Sequence, residues 1–379
     1  MQEIFTKEQI KAKKQARLYM EKEVSTVADE MDEQAIFPKD LFFRLGKLGF
    51  TGIMCPKKYG GSGMDTVAYA GVAEELSRGW LAFGGTYSIQ MTVSQLILNN
   101  GTEKQKKKYL PRLCTCESIG AIAMTETAAG SDVASISSTA MPCKHGYLLN
   151  GSKLFITPGG EADIYIVLFN TGSKRTDKAM FIVEKDTPGF YFGRKERKMG
   201  YKSSPTWELI FENCFVPSAN IIGKTSNGLH VTLKALECGR IGVGAVAVGL
   251  AQAALDQALT HAKQRVQFGK PIADFQGIQF MLADMATSIN AARQLVYYSA
   301  RLRDAGASYN CEAAMAKLFA SDTAMKVTTE AVQIFGGYGY MLDCPVQRYM
   351  REAKALQIVE GTNQIQRIVI ARNILGNMT

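Results

Sequence analysis

The chain has 379 residues, 46% hydrophobic and 21% charged, which excludes a disordered chain or a small stapled scaffold and sets an expectation of two or three domains. An excess of 44 Lys and Arg over 35 Asp and Glu leaves +9, which favours an anionic partner: nucleic acid, acidic lipid, acidic protein or a phosphorylated cofactor. Eight cysteines without a CxxC pair, and only three histidines, argue against a disulfide framework and a His-rich metal site, so free thiols and no metal are expected.

The first residues, MQEIFTKEQIKAKKQAR, contain no apolar stretch of signal-peptide length and carry two glutamates, which reads as a cytoplasmic protein without a leader. Apolar residues at three- and four-residue steps then predict helices over Lys7–Asp32, Lys39–Gly49, Thr66–Ser77 and Tyr87–Asn99. From about Ser118 the texture changes. Gly146–Thr157 reads as two short strands around an Asn150-Gly151 turn, and Ile164–Asn170, Ala179–Lys185 and Trp207–Phe211 read as further strands. Helical periodicity returns at Gly228–Val266, Asp274–Ala305, Cys311–Gly336, Pro345–Ala353 and Asn363–Leu375. The longest apolar run, Ile241–Ala251, is too short to cross a bilayer, so no membrane span is expected. The order is therefore α, β, α, with expected domains at 1–117, 118–225 and 226–379; segregated runs argue for separately packed units rather than a parallel α/β sheet.

No G-x-G-x-x-G follows a strand, so a dinucleotide would not be held in the Rossmann manner. Gly223-Lys224-Thr225 ends like a phosphate loop, but Ser218 stands where that motif needs its first glycine, and a surface turn is expected. The basic runs at Lys11–Arg17, Lys104–Lys108 and Arg194–Lys198 have little aromatic interleaving and read as solvated faces.

Five segments carry a more specific signal: Met124-Thr-Glu-Thr-Ala-Ala-Gly-Ser-Asp132, Gly151-Ser-Lys-Leu-Phe-Ile-Thr157, Arg265-Val-Gln-Phe-Gly-Lys-Pro271, Gln333-Ile-Phe-Gly-Gly-Tyr-Gly-Tyr340 and Ile358-Val-Glu-Gly-Thr-Asn-Gln-Ile-Gln-Arg367. In order and spacing, over essentially the whole chain, they resemble the acyl-CoA dehydrogenase family, in its short- and medium-chain, butyryl-CoA dehydrogenase-like branch. The resemblance implies an α+β multidomain fold: an N-terminal helical domain, a middle β-barrel or sandwich and a C-terminal four-helix bundle. It also implies α,β-dehydrogenation of a short- to medium-chain acyl-CoA, with FAD as cofactor, electron-transfer flavoprotein as acceptor and a homotetramer as the assembly.

Residue by residue, the resemblance makes Glu360 the base that takes the α proton. The family's other location for the base corresponds here to Gly239, which has no side chain. Glu237 lies two residues earlier, about 200° away around a helix, and is expected only to contact the CoA tail. Met124 and Thr125 match contacts to the flavin pyrimidine, and Phe155 and Thr157 match an aromatic and a hydroxyl beside the isoalloxazine. Arg265, Phe268, Gln333 and Gly337 match residues that bind the FAD diphosphate and adenosine of a neighbouring subunit, and a fork-shaped guanidinium suits a diphosphate. Thr362 and Gln364 match further FAD contacts, while Ser131, Arg240 and Gly361 are expected on the substrate. The chain departs from the family pattern at Thr127, usually Pro, at Pro158, usually a small polar residue, and at Val359, usually Tyr. A carrier-protein thioester, oxygen as acceptor, or nucleic-acid binding as in a repair-associated relative remain alternatives; the presence of Glu360 and Arg265 argues against the last.

Overall fold

A computed structural model describes residues 5–376; the few residues beyond them, in the expected 1–117 and 226–379 segments, lie outside the described residues. The N-terminal helices are α1 (Lys7–Tyr19), α2 (Ala28–Gln34), α3 (Lys39–Lys47), α4 (Thr66–Leu76), α5 (Leu81–Asn100) and α6 (Glu103–Cys114). Thr6 and Thr102 begin α1 and α6 as capping boxes with Gln9 and Gln105, each satisfying orphan N–H groups at the helix start. The helix expected over Lys7–Asp32 is broken: a π turn at Met20–Val24 and the bend before Ala28 separate α1 from α2. The Lys104–Lys108 run belongs to α6, where Lys108 reaches Glu184 at 2.6 Å.

The middle region forms one eight-stranded sheet from β1 (Gly120–Ala123), β2 (Thr139–Cys143), β3 (Gly146–Ile156), β4 (Ile164–Asn170), β5 (Lys178–Glu184), β6 (Phe190–Lys195), β7 (Trp207–Pro217) and β8 (Ile221–Ile222). The order is β6-β7-β3-β2-β4-β5-β8, with β1 parallel to β4. In β4 and β5 nearly every residue is buried, which explains their unbroken apolar sequence. The Asn150-Gly151 pair is not a hairpin turn. β3 runs straight through it, with β2 on one side and β7 on the other, and the register shift beside it comes from an extra residue on β7, where Glu212 and Asn213 face Asn150 as a bulge. Gly151 sits there at φ +126, and a Cβ on it would lie 2.6 Å from the Ser138 hydroxyl.

The C-terminal helices are α7 (Gly228–Gln264), α8 (Gln276–Asp304), α9 (Asn310–Phe335), α10 (Pro345–Leu356) and α11 (Asn363–Leu375), with a short hairpin of β9 (Val266–Gln267) and β10 (Lys270–Pro271) after α7. The axis of the molecule is α7, which packs against α8, α9 and α10 and also against α4 and α5. It contains a window with a mean hydropathy of 1.5, but 94% of that window is buried inside the protein, as in a core helix. Its small-residue face serves packing: a Cβ on Gly249 would fall 2.0 Å from the Glu74 carbonyl, and one on Gly242 2.0 Å from the Tyr69 hydroxyl. The chain thus has the expected α+β architecture, helical at both ends around a central sheet.

Candidate active site

The loop from Gln357 to Thr362 joins α10 to α11 and carries Glu360 at φ +51 and Gly361 at φ +88. A left-handed conformation is natural for glycine but costs a glutamate about 1–2 kcal/mol, so the surroundings must hold it. They do so through Lys317, a fully buried lysine of α9, whose Nζ donates to the Gly361 carbonyl and to Asn363 Oδ1, both at 2.9 Å. Asn363 in turn donates to Ser321 Oγ at 2.9 Å and Asp322 Oδ1 at 2.7 Å, and Gln366 Nε2 donates to the Gly361 carbonyl at 2.9 Å. Thr362 caps α11 by accepting from the Ile365 N–H.

The Glu360 side chain ends against α7. Its Oε2 is buried with no hydrogen-bond partner, and a Cβ on Gly239 would lie 2.1 Å from it. Burial pushes the carboxyl up to about 7, partly opposed by the charges of Lys317 and Arg240. Burial also lowers Lys317 to about 8. An unpaired carboxylate in a dry pocket, poised near neutrality, is suited to accepting a proton. Arg240 is buried beside it, with one guanidinium nitrogen on Asn310 Oδ1 at 2.7 Å and its Nε unpartnered. Glu237, also buried, pairs with Lys234 at 3.2 Å. Ser131 is exposed in the loop after β1, with no hydrogen bond or ion pair to Arg240 or Glu237.

The middle domain contributes a second set. Met124 and Thr125 leave β1, and the Leu154 N–H donates to the Thr125 carbonyl at 2.8 Å, fixing this turn to β3. Beneath it Lys153, fully buried, meets Glu126 at 2.6 Å, and Ser137 and Ser138 give that carboxylate further donors. Phe155 stands at φ +59 with its ring 58% exposed, an apolar plate open to solvent. Thr157, two residues on, pairs its hydroxyl with that of Thr206 at 2.7 Å.

A third set lies around the end of α7. The Arg265 guanidinium sits 5.5 Å from the Tyr338 ring and has no acidic partner among the described residues. It lines a cleft of about 520 Å³ with His261, Gln267, Gly336 and Gly337. Phe268, at the tip of the β9–β10 hairpin, is 93% exposed, and Gln333 is exposed on the last turn of α9. Gln364 is exposed on the first turn of α11. No hydrogen bond or ion pair joins the Arg265 set to the Glu360 or Thr157 sets among the described residues.

This donor set fits FAD: an unpaired arginine for a diphosphate, an open aromatic for a ring system, and Gly336 and Gly337, where a Cβ would meet nothing within 4 Å and a ligand can approach the backbone. The sequence reading singled out Glu360 and Arg265 but not Lys317, nor Asn363, Lys153 and Glu126, which lie inside the quoted segments. One signal was present: Lys317 shares the buried stripe of α9 with Ala313, Ala320 and Ala324, a phase in which a lysine must find partners.

Three family models match the chain: acyl-CoA dehydrogenase N-terminal domain at residues 6–117, middle domain at 121–214 and C-terminal domain at 226–375. An acyl-CoA dehydrogenase of Bacillus subtilis is 50% identical over 98% of this chain and 99% of its own length. Among solved structures, butyryl-CoA dehydrogenase from Megasphaera elsdenii superposes with a TM-score of 0.96 at 44% identity, covering 98% of this chain and 99% of that one. A chain from a structure of the electron transferring flavoprotein of Acidaminococcus fermentans, described in terms of flavin-based electron bifurcation, superposes with a TM-score of 0.97 at 46% identity, covering 98% and 99%.

Proposed function

The chain belongs to the acyl-CoA dehydrogenase family, and on that premise we propose that it oxidises short- to medium-chain acyl-CoA thioesters to trans-2-enoyl-CoA, with Glu360 as the base. The observation that carries this reading is the buried, unpartnered Oε2 of Glu360 against the bare Gly239, with the carboxyl pushed up to about 7. Glu360 removes the proton from the α carbon. Lys317 and Asn363 keep the loop in its left-handed turn, and the Lys317 and Arg240 charges keep the carboxylate accessible near neutral pH. FAD is the cofactor of this oxidoreductase and, when bound, supplies the acceptor for the β hydride. Met124, Thr125, Phe155, Thr157, Thr362 and Gln364 hold its flavin end, and Arg265, Phe268, Gln333 and Gly337 reach the diphosphate and adenosine of a neighbouring subunit's FAD. Ser131, Glu237, Arg240 and Gly361 bind the substrate.

Short acyl chains are favoured. One turn along α7 from Gly239, a helical rise of about 4.5 Å, the space beside Gly242 is already filled by the Tyr69 hydroxyl and Ser88 Oγ, hydrogen-bonded to each other at 3.0 Å. Electron-transfer flavoprotein is the proposed acceptor, supported by the likeness to a chain from a structure described in terms of the electron transferring flavoprotein of Acidaminococcus fermentans. The test is reduction of electron-transfer flavoprotein with butyryl-, hexanoyl- and octanoyl-CoA. Butyryl-CoA should give the highest kcat/KM; no turnover with any of them, or peroxide release without the flavoprotein, would refute the reading.

A further inference from the structure

We propose that Lys198 is a positioning residue for the flavin: acting through Thr206, it fixes the Thr157 hydroxyl as a hydrogen-bond donor directed into the cofactor site. This rests on the reading that Thr157 faces the flavin.

A short chain of polar groups leads from Lys198 to Thr157. Lys198 Nζ donates to the Ser204 carbonyl and, at 2.9 Å, to Thr206 Oγ1, with the Tyr201 ring 4.9 Å away. An ammonium has donors only, so Thr206 Oγ1 must accept from it. Thr206 is buried, and among the described residues its hydroxyl has one other partner, Thr157 Oγ1, at 2.7 Å. If Thr206 accepted from Thr157 as well, its own buried hydrogen would have no acceptor, so the arrangement that satisfies it has Thr206 donating to Thr157. Thr157 Oγ1 is then an acceptor from within the protein, and its own hydrogen has no partner among the described residues. That hydrogen is left for whatever occupies the space beside Phe155.

Without the ammonium the direction is no longer fixed. Thr157 could donate inward to Thr206, and the flavin would face a lone pair rather than a hydrogen. Lys198 itself is held in a mixed environment: burial lowers it to about 7, Asp32 and Glu352 raise it, and Lys195 lowers it. A hydrogen-bond donor facing the cofactor favours its more electron-rich reduced form.

The readout is the midpoint potential of bound FAD, measured by dye equilibration near pH 6, alongside the FAD dissociation constant. Lys198→Met and Thr206→Val should each lower the reduced-to-oxidised ratio at fixed potential about tenfold, a fall of about 30 mV for a two-electron couple. In a Thr157→Val background neither should have a further effect. Thr206→Val nearly conserves shape and carries the test if Lys198→Met fails to fold. If Thr157→Val shifts the potential while Lys198→Met and Thr206→Val do not, the proposal is overturned and the placement of Thr157 stands. If Lys198→Met acts equally with and without the Thr157 hydroxyl, the hydrogen-bond chain is overturned. If Thr157→Val changes neither potential nor FAD affinity, the placement of Thr157 falls, and the proposal with it.

Discussion

Glu360 occupies a backbone conformation and a pocket that both work against stability, and each leaves a measurable trace. Its carboxyl is raised to about 7 by burial, against an ordinary value of 4.5. Below about pH 4.5 the group is protonated in both folded and unfolded chains and adds no penalty. Between 4.5 and 7 the unfolded chain releases a proton that the folded chain retains, so stability falls as pH rises, and above 7 the penalty is complete. Glu360→Gln should therefore raise Tm at pH 8 and give no gain near pH 4. Glu352, also buried and raised to about 7, is present in both proteins and cancels from the difference. Turnover should follow the opposite course: kcat/KM of the free enzyme climbs with pH through an acid limb near 7, because only the carboxylate accepts the α proton. Gly239→Ala places a methyl where Oε2 now lies, 2.1 Å away, and should slow flavin reduction by about 100-fold with FAD still bound. Stopped-flow bleaching of the bound flavin checks both kinetic predictions.

Individual elements hold the site together through contacts that the sequence pattern does not show. The Lys317 ammonium reaches the Gly361 carbonyl across 44 residues of sequence, so no spacing rule connects them. Lys317→Met removes a positive neighbour of Glu360 and should shift the acid limb above 7 as well as lower kcat. In the sheet, Lys153→Met strands the Glu126 carboxylate; Ser137 and Ser138 still donate to it, so the loss should be about 3 kcal/mol, the low end for a broken buried pair, read by urea denaturation. Helix α7 and the strands β4 and β5 were legible because each is a long or unbroken apolar stretch bounded by polar or turn residues. The Asn150-Gly151 pair was misread because that dipeptide favours a tight turn; only the pairing on both sides of β3 shows a continuous strand. The strands β1, β2, β6 and β8 went unread: β1, β2 and β8 are only two to five residues long, and in β6 the aromatic run Phe190–Phe192 gives way at once to Gly193-Arg194-Lys195.

At the scale of the molecule, the α–β–α order was visible in the change of periodicity, and the +9 charge is absorbed only in part. Arg240 lies buried beside Glu360 rather than on an open basic surface, whereas Arg265 is exposed and without an acidic partner among the described residues. Among the described residues no hydrogen bond or ion pair joins the Arg265 set to the Glu360 set, and Phe268, Tyr340, Leu342, Ile374 and Leu375 are all exposed apolar or aromatic residues of the C-terminal domain. Both features fit a homotetramer in which neighbouring chains complete each other's cofactor sites. Light scattering should give a four-chain particle, and Arg265→Ala should weaken FAD binding by at least tenfold while leaving the tetramer intact. Glu360 and Arg265 could be singled out in the sequence because they lie in contiguous motifs; Lys317 and Lys198 could not, because their partners are assembled by packing. The most direct test is anaerobic mixing of butyryl-CoA with FAD-loaded wild-type protein and with Glu360→Gln. The wild type should lose its flavin colour, while the variant should bind FAD and butyryl-CoA but bleach at least 100-fold more slowly; a variant that bleaches at the wild-type rate would show that Glu360 is not the base.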